Sequence, residues 1–421
     1  KMRTVFSAVI PFAAAQFVAV AVATVLFALV AWTAGARADE ASEPLARQDY
    51  AAAAEALRSQ AARGDAAAQL SLGLLYLNGQ GVAQDFGEAK KWFGKSADQG
   101  NDQAETNLAA LYVQGRGVKQ DYTEARKWLS KAVVKDNLAA SRMLGQLVMK
   151  GLGGKQDTAE AIRIFQSAVD KGDAESARIL ALFYIEGVSV AKDYVEGAKW
   201  LAKAASMGDL AAADQLGAFF HNGIGVNKSD LAAIRLWSQA ADKGDVSAQY
   251  DLAVLFDQGY AVRDDEPGGE EIFAKLRQQK DKTLDPDKDG RVPHAIVIHN
   301  LPESLKLYQK AADGGSKLAL LNLAEMYRDG RGAKQDYPRA MSLFNQAATS
   351  TENPRPGDLA VAGGEFGVGN LFENGLGVPK DLAAATSWYC KAAALGLPAA
   401  KQALGGMLAN GANISCQVAA K

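Results

Sequence analysis

The chain has 421 residues, of which 48% are hydrophobic, and a net charge of −2 at pH 7. That charge argues against nucleic acid as a partner, because proteins that bind phosphate backbones carry clustered positive charge. Only two cysteines are present, which excludes a small scaffold held together by many disulfides.

The N-terminus has the composition of a secretory signal. Lys1 and Arg3 precede an apolar run over about residues 5–32, and an Ala-x-Ala sequence follows that ends at Ala38. This pattern predicts cleavage after Ala38 and a periplasmic or secreted protein. The alternative is an uncleaved membrane anchor, since the run is long enough to span a bilayer. Residues 1–38 hold three basic and no acidic side chains, so cleavage leaves a net charge of about −5.

A 36-residue period organises most of the chain. Its marker is a pair of large apolar residues that appears in five successive copies and resumes after insertions of 35 and 9 residues. Such a period is the signature of a solenoid, in which each unit buries its apolar face against its neighbours. The marker pairs are Trp92-Phe93, Trp128-Leu129, Ile164-Phe165, Trp200-Leu201, Leu236-Trp237, Leu307-Tyr308, Leu343-Phe344 and Trp388-Tyr389.

Each period predicts two helices and a connecting loop. In the first copy Ala68, Leu72, Leu75 and Tyr76 fall on one face of a helix. This helix is expected to end at Gly79, because glycine adopts a positive φ at low cost. A small residue recurs within the first helix and predicts a close helix–helix crossing there. That position holds Gly73, Ala109, Gly145, Ala181 and Gly217.

An aspartate is predicted to begin the second helix of most repeats. Its carboxylate can accept hydrogen bonds from the free N–H groups of the first turn. Glu88 and Glu124, three residues after their aspartates, are expected to complete capping boxes. The second helix then carries the marker pair, whose tryptophans are expected in the core. The capping positions are Asp85, Asp121, Asp157, Asp193, Asp336 and Asp381.

These copies together resemble the Sel1-like repeat, a relative of the tetratricopeptide repeat. The shared pattern is Ala-x3-Leu-Gly-x-Leu-Tyr-x2-Gly-x-Gly-Val-x2-Asp-x2-Glu-Ala-x-Lys-Trp-x3-Ala-x3-Gly, and it covers about residues 49–412. The resemblance implies an all-α, right-handed superhelical solenoid of antiparallel helix pairs, with about eight repeats and half-repeat caps. Members of the family look like adaptors that hold other proteins, and several bacterial members are secreted or periplasmic.

The period also divides the chain into segments. We predict a signal peptide over 1–38, an N-terminal capping half-repeat over 39–65, repeats 1–5 with the first helix of repeat 6 over 66–262, an insertion over 263–302, the rest of repeat 6 with repeats 7 and 8 over 303–396, and a C-terminal capping helix with its tail over 397–421.

The larger insertion carries an incomplete calcium motif. Asp285, Asp287 and Asp289 precede a glycine, as in the first half of an EF-hand loop, but the twelfth position is Ile296 instead of glutamate. Calcium binding is therefore an alternative to a polar turn that caps a helix, and no other cofactor is expected. The apolar, β-branched run 295–298 predicts a short strand or a packing contact with the solenoid.

The two cysteines are predicted to form a disulfide. Cys390 lies on the last full second helix, and Cys416 lies just beyond the terminal first helix. These elements are neighbours in the implied architecture, and an oxidising compartment favours the bond. Closing a loop of this length would stabilise the C-terminal end by about 3 kcal/mol. The alternative is two unrelated thiols.

Catalytic motifs give little support for an enzyme. One Ser-x-x-Lys match, from Ser189 to Lys192, lies in the loop of the fourth repeat, without the Ser-Asp-Asn or Lys-Thr-Gly sequences that accompany it in enzymes acting on β-lactams. The sequence contains no Gly-x-Ser-x-Gly, His-Glu-x-x-His or Walker motif. We predict no enzymatic activity; the alternative is a β-lactam- or peptidoglycan-acting hydrolase centred on Ser189.

The first helices are expected to line the concave face, as in related helical-pair solenoids. Polar side chains that vary from repeat to repeat are predicted to bind an extended peptide or a partner's helix there. The alternative is simple solvation of a helix face. The predicted binding residues are Asn107, Arg142, Arg178, Gln215, Asp251 and Asn322.

The sequence therefore predicts a non-catalytic protein–protein interaction scaffold in the bacterial cell envelope. By family analogy it would regulate a sensor or a polysaccharide or envelope assembly. Its partners are expected to be envelope proteins or peptide segments, with no nucleic acid and no stable membrane insertion after signal cleavage. A calcium-responsive adaptor is a further alternative.

Overall fold

The computed structural model describes residues 47–279, 293–349, 357–409 and 416. The predicted signal peptide over 1–38 and the predicted calcium ligands Asp285, Asp287 and Asp289 lie outside these residues. Within them, helices alternate with short loops, and the single sheet has two strands. The predicted all-α class is confirmed.

The described part of the chain contains 19 helices and two strands. In chain order they are α1 (Tyr50–Ala62), α2 (Ala66–Asn78), α3 (Phe86–Asp98), α4 (Asp102–Gln114), α5 (Tyr122–Val133), α6 (Leu138–Lys150), α7 (Thr158–Asp170), α8 (Ala174–Glu186), α9 (Tyr194–Ser206), α10 (Leu210–Asn222), α11 (Asp230–Asp242), α12 (Val246–Gln258), β1 (Tyr260–Arg263), α13 (Gly269–Gln279), β2 (Ala295–Ile298), α14 (Leu301–Asp313), α15 (Lys317–Asp329), α16 (Tyr337–Ala348), α17 (Leu359–Asn374), α18 (Leu382–Ala394) and α19 (Pro398–Ala409).

The chain forms two compact units, one up to residue 119 and one from residue 120. The described part of the first unit contains α1–α4, and the second contains α5–α19 with both strands. Within each unit, helices that follow one another along the chain contact each other as hairpins. The first helices of the repeats are α2, α4, α6, α8, α10, α12, α15 and α17, and the second helices are α3, α5, α7, α9, α11, α14, α16 and α18.

The two helices of a hairpin fit together through a small residue on the first and a large one on the second. A Cβ added to Gly145 would lie 2.6 Å from the Phe165 ring, so glycine is required beneath that ring. Where the small residue is Ala181, the matching buried position holds the smaller Leu201. The predicted close crossing is confirmed, and volumes are matched within the hairpin. The same ring contact joins Gly73 to Phe93 and Gly217 to Trp237.

The loops also stack closely on the preceding repeat. Gly79 ends α2 with φ +69°, which is the left-handed conformation predicted for it. Two residues later, a Cβ on Gly81 would lie 2.1 Å from the carbonyl oxygen of Tyr50. The loop therefore rests directly on the backbone at the start of α1, where no side chain fits.

The predicted aspartate caps form, but the capping box at Asp85 does not. Asp85 accepts a hydrogen bond from the backbone N–H of Glu88 at 3.0 Å. The N–H of Asp85 itself donates to the carbonyl oxygen of Tyr76 at 2.9 Å, so it is not available to Glu88. The Glu88 carboxylate instead accepts from Trp92 Nε1 at 3.0 Å. The capping-box prediction was wrong here because closing the hairpin loop uses the same donor.

Most tryptophans of the marker pairs lie at the edge of the core and not inside it. Leu129 is fully buried, whereas Trp128 before it is half-buried. Lys131 Nζ lies 3.8 Å from the Trp128 ring centroid, a cation–π contact that shields the exposed ring face. Trp237 is the second member of its pair and is only 3% exposed. The prediction of a buried tryptophan stripe therefore holds for Trp237 and was wrong for Trp128.

The larger insertion folds as a small module with its own core. β1 pairs antiparallel with β2, which confirms the strand predicted over 295–298. Val262, Phe273 and Ile296 form a buried apolar cluster, and Leu231 of α11 packs against it. The insertion is thus attached to the repeat that precedes it.

Two polar contacts hold this module on α11. Ser229 begins α11 where most repeats have aspartate, and its hydroxyl donates to Glu266 Oε2 at 2.5 Å. Asp230 is 5% exposed and accepts from the N–H of Ala261 at 2.7 Å and from His221 Nδ1 at 2.7 Å. The fifth repeat departs from the pattern where the insertion contacts it.

Cys390 and Cys416 are joined as a disulfide, with their Cα atoms 5.5 Å apart. This separation is ordinary for a disulfide. Cys390 lies on α18, so the bond ties the residues beyond α19 to the last full hairpin.

Candidate partner-binding surface

The six predicted binding residues lie on first helices but in two adjacent rows. Successive residues of an α-helix point about 100° apart, so the two rows face different directions. The six residues come from two neighbouring repeat positions, and their role in binding a partner stays a prediction. One row holds Arg142 and Arg178, and the next holds Asn107, Gln215, Asp251 and Asn322.

The row of Arg142 continues along the whole second unit, and we call it the first-helix row. All its members are half-buried, and their chemistry changes along the row from basic to acidic to apolar. The last four were not predicted, although the 36-residue spacing, extended by the two insertions, was sufficient to find them. The first-helix row consists of Arg142, Arg178, Asp214, Tyr250, Leu321 and Phe366.

The two arginines of the row are paired within the chain. Arg142 lies 2.5 Å from Asp173 Oδ1, and Arg178 Nε donates to Asp209 Oδ2 at 3.0 Å. Each aspartate caps the first helix of the next repeat. Glu175 contacts both arginines, at 3.2 Å and 3.8 Å. Because these pairs are shielded from water in part, they stabilise the junctions between three successive hairpins.

The next member, Asp214, forms no ion pair within the described residues. Its Oδ1 is buried and has no hydrogen-bond partner in the described residues. Burial, with Asp251 and Asp245 nearby, raises the pKa of Asp214 to about 7. Burial also raises the pKa of Asp251 to about 6, although His221 opposes the rise. This part of the surface holds two neighbouring carboxyl groups, and no arginine of the described ranges pairs with them.

Asn322 of the second row belongs to a hydrogen-bonded cluster. Its Nδ2 donates to the hydroxyl of Tyr308 at 3.0 Å and to that of Tyr250 at 3.4 Å. The two tyrosine rings are 5.9 Å apart, and burial raises the pKa of Tyr250. Asn322 therefore orders the surface around Tyr250. Asn107 on α4 and Gln215 on α10 are half-buried.

The C-terminal end of the row is apolar. A Cβ on Gly363 of α17 would lie 2.7 Å from the Leu321 side chain of α15, so these helices approach closely at that point. One turn earlier on each helix lie Leu318 and Leu359, which are 43% and 47% exposed. Phe366 completes this region, with its ring 5.1 Å from that of Tyr389. The row thus runs from basic through acidic to apolar.

Ser189 and Lys192, the pair behind the hydrolase alternative, have separate partners. Ser189 has φ +61°, at the repeat position where Gly153 and Gly225 lie in the neighbouring copies. Its hydroxyl accepts from Gln156 Nε2 at 3.0 Å, and Lys192 Nζ donates to the hydroxyl of Tyr194 at 3.2 Å. This geometry gives Ser189 the role of a loop residue that rests on its neighbouring repeat.

The histidines of the insertion bind within the chain. His294 Nδ1 lies 2.9 Å from Asp264 Oδ2, and His299 Nδ1 lies 3.1 Å from the carbonyl oxygen of Asp257. In the described ranges, no group of three or more histidine, cysteine or acidic side chains is arranged to hold a metal ion. The calcium prediction, which falls on residues outside those ranges, stays a prediction.

No helix in the described part of the chain combines the length and apolar character needed to cross a membrane. The apolar run over about residues 5–32 lies outside that part.

The profile of the Sel1 repeat matches nine segments of the chain, which together cover well over half of it. The chain belongs to the Sel1 repeat family. The match breaks off within the insertion and resumes at residue 294, in agreement with the module seen there. The matched segments are residues 66–101, 102–133, 138–173, 174–209, 210–245, 246–266, 294–316, 317–351 and 362–397.

Individual relatives resemble parts of this Sel1 repeat protein. It is 34% identical over 95 residues to the Sel1-repeat-containing protein YjcO of Escherichia coli, which is 23% of this chain and 39% of that one. It is 29% identical over 143 residues to chitin synthase regulatory factor 3 of Schizosaccharomyces pombe, covering 27% of this chain and 15% of that one. The chain therefore spans less than half the length of either relative.

A solved structure covers more of the chain. The Sel1 repeat protein of Oxalobacter formigenes superposes with a TM-score of 0.57 at 25% identity, covering 89% of this chain and 95% of that one. Sel1 repeat proteins generally act in protein–protein interaction, and the fold is typically a non-catalytic scaffold. The predicted family and repeat architecture are confirmed.

Proposed function

We propose that this Sel1 repeat protein is a non-catalytic adaptor that binds a partner protein along the first-helix row. The observation that carries this proposal is the sequence of chemistries along that row, from Arg178 through Asp214 and Tyr250 to Phe366. From Arg178 onwards, half-buried side chains that differ from one repeat to the next give successive positions of a bound segment different neighbours. A regular solvated helix face has no need of such variation.

The acidic part of the surface suggests the charge of the partner. Asp214 of the first-helix row and Asp251 of the adjacent row are half-buried, close to each other and without a cation bound to them within the described residues. A lysine or arginine of a partner segment would neutralise them and would return their pKa values towards the usual range for aspartate. The exposed Leu318 and Leu359 at the apolar end would accept a hydrophobic side chain of the same segment.

We further propose that the adaptor works in the bacterial cell envelope, where it regulates a sensor or a polysaccharide or envelope assembly. The N-terminal sequence up to Ala38 supports export. The disulfide between Cys390 and Cys416 suits an oxidising compartment. The name of the fission yeast relative, a regulatory factor of chitin synthase, supports a regulatory role. N-terminal sequencing of the envelope fraction should begin at Asp39.

The binding test is a crosslinked pull-down of tagged residues 39–421 from the native cell envelope, identified by mass spectrometry. The informative variant is Asp214→Asn with Asp251→Asn, because it removes both charges and keeps the side-chain shapes. Arg142 and Arg178 are unsuitable for this test, since their loss would disturb the hairpin junctions. We expect a reproducible set of envelope proteins that the double variant loses.

A matched control distinguishes binding at Asp214 and Asp251 from a general effect of net charge. Asp170 of α7 and Asp242 of α11 are exposed on second helices, so replacing both with asparagine removes two carboxyl groups, as the first variant does. This control should keep the captured set. Loss of the set from both double variants, or its retention by both, would contradict binding at Asp214 and Asp251, and recovery of background proteins only would contradict the adaptor itself.

A further inference from the structure

The two-stranded sheet of the insertion has one closed edge and one open edge. β1 and β2 pair antiparallel, with Tyr260 opposite Ile298 and Val262 opposite Ile296. Asp264 N–H donates to the carbonyl oxygen of His294 at 3.1 Å, which extends the ladder by one pair. Directly opposite residues alternate between bonded and non-bonded pairs in an antiparallel ladder. The N–H and C=O groups of Ile296 and Ile298 therefore face β1.

It follows that the intervening residues point their backbone groups outwards. On β1 these are Ala261 and Arg263, and both N–H groups are occupied. Ala261 donates to Asp230 Oδ2 at 2.7 Å, and Arg263 donates to Glu266 Oε1 at 2.8 Å. The two carboxylates are 5% and 6% exposed, so the outer edge of β1 is closed by fixed acceptors.

On β2 the outward groups belong to Ala295 and Val297. No hydrogen bond to these backbone groups from any described residue is present on that side. Ala295 is exposed, and Val297 is 58% exposed, the second most exposed of the large hydrophobic side chains in the described ranges. An uncovered edge strand with β-branched residues is a template for a further strand. Among the described residues, this edge therefore has two donors and two acceptors without a partner, on residues two apart in the strand.

We infer that β2 pairs with β2 of a second copy of this chain, forming a four-stranded antiparallel sheet across a two-fold axis at Ile296. The free groups are complementary to themselves in this arrangement. Ala295 of one copy lies opposite Val297 of the other, and the four free donors and four free acceptors of the two copies all combine. Ile296 then faces its own equivalent as a cross-strand β-branched pair.

The side chains of the edge favour the same occupant. Residues 295–298 carry no charged side chain, so two copies meet without repulsion between like charges. The proposal is independent of the first-helix row, which lies on other elements. A strand from a different protein is the competing occupant, and the tests below distinguish the two.

The first test is a directed crosslink. Opposite residues of a bonded pair have Cα atoms about 5.5 Å apart, within disulfide range, whereas two copies of the same residue, one each side of the axis, would be more than 7 Å apart. Both native cysteines are already paired, so an introduced thiol is the only free one. We expect a mixture of Ala295→Cys and Val297→Cys proteins to form covalent dimers at least about fivefold more than either variant alone. Val188→Cys, at an exposed loop position, gives the rate of random collision.

The second test measures mass by sedimentation equilibrium of residues 39–421 between about 5 µM and about 500 µM, a range suited to weak complexes. Val297→Pro removes an outward N–H and leaves the N–H groups of Ile296 and Ile298 bonded to β1. We expect the wild-type mass to rise towards that of a dimer, Val297→Pro to remain monomeric, and Val297→Thr to dimerise. A wild-type monomer throughout, or a dimer that survives Val297→Pro, overturns the proposal, as does crosslinking of the mixture at the Val188→Cys rate.

Discussion

Repeats 3 and 4 use one position of the first helix in the opposite way from repeat 5. Arg142 and Arg178 each bind the aspartate that caps the next first helix. Asp214, at the same position one repeat later, has a buried oxygen that finds no partner in the described part of the chain, and its neighbour Asp251 has a raised pKa. A charged side chain that pairs with an opposite charge of the next hairpin holds the two hairpins together. A partly buried carboxylate without such a pair destabilises the fold unless a partner binds it.

The largest effect is expected from breaking a completed pair. Arg142→Ala would leave Asp173, whose side chain is 8% exposed, with a buried charge and no cation. We expect the free energy of unfolding to fall by about 3 kcal/mol, measured by urea titration. Arg163→Ala on the exposed face of α7 is the matched control and should change it by less than about 0.5 kcal/mol. Equal effects of the two substitutions would show that the Arg142 pair does not stabilise the junction.

A second prediction tests whether the packing below the row is a separate source of stability. Gly145→Ala would place a methyl group 2.6 Å from the Phe165 ring and should destabilise by about 2 kcal/mol. Adding Phe165→Leu should recover about half of this loss, because Ala181 and Leu201 show that the smaller pair fits. The measurement is a double-mutant cycle by thermal unfolding, and additive losses would contradict volume matching.

The unpaired carboxyl groups of Asp214 and Asp251 predict that the free energy of unfolding depends on pH. A carboxyl whose folded pKa lies above its unfolded value stabilises the fold at low pH and loses that contribution as pH rises through the folded pKa. Asp214 and Asp251 have pKa values of about 7 and about 6, above the ordinary 3.8. The contribution of these two groups to the free energy of unfolding should therefore fall between about pH 4 and about pH 7 and stay constant above about pH 7.

The size of that fall is expected to be about 1.5 kcal/mol, reduced from the full effect of the pKa shifts because both groups are only partly buried. Asp214→Asn with Asp251→Asn should remove it. The difference in unfolding free energy between wild type and variant, taken at several pH values, isolates these two groups from Glu365, whose pKa burial also raises to about 7. A difference that does not change with pH would mean that the two carboxyls ionise as in water.

The smallest predicted effect concerns Ser189, which replaces the glycine of neighbouring repeats at a position with positive φ and gains one hydrogen bond, from Gln156. Ser189→Gly should stabilise by about 1 kcal/mol, since glycine adopts φ +61° without the cost of a Cβ, minus the loss of the contact with Gln156. Asp136→Gly is the comparison, because Asp136 also has a positive φ but is paired with Lys171 at 2.5 Å, and it should show no gain. Differential scanning calorimetry of both variants tests this, and equal shifts would mean that the ion pair at Asp136 is without effect.

The repeat architecture could be predicted because its cause is local and is repeated. Gly79 and Asp85 each determine a helix end through the conformation and hydrogen bonds of a few neighbouring residues. The failed capping box at Glu88 shows the limit of such reasoning. The donor it required was used by Tyr76, nine residues before Asp85, in a contact that exists only after the hairpin closes.

The candidate surface was predicted less well for a similar reason. A shift of one residue separates Arg178 from the row of Gln215, and polar residues occur in both rows. Only the contacts show that Arg178 pairs with Asp209 and that Asp214 Oδ1 has no hydrogen-bond partner among the described residues. The strand over 295–298 could be predicted from its β-branched residues, but its pairing with β1 depends on folding, which brings the two ends of the insertion together.

The location of the volume match has a consequence for how such chains can be rebuilt. Gly145 and Phe165 belong to one hairpin, so moving that hairpin elsewhere in the series carries both halves of the match with it. The pair of Arg142 and Asp173 joins two hairpins, so it is lost when their order changes. Variants in which whole hairpins are exchanged should therefore keep well-packed hairpins. Among such variants, the most stable should be those whose hairpin order restores the arginine–aspartate pairs between neighbours.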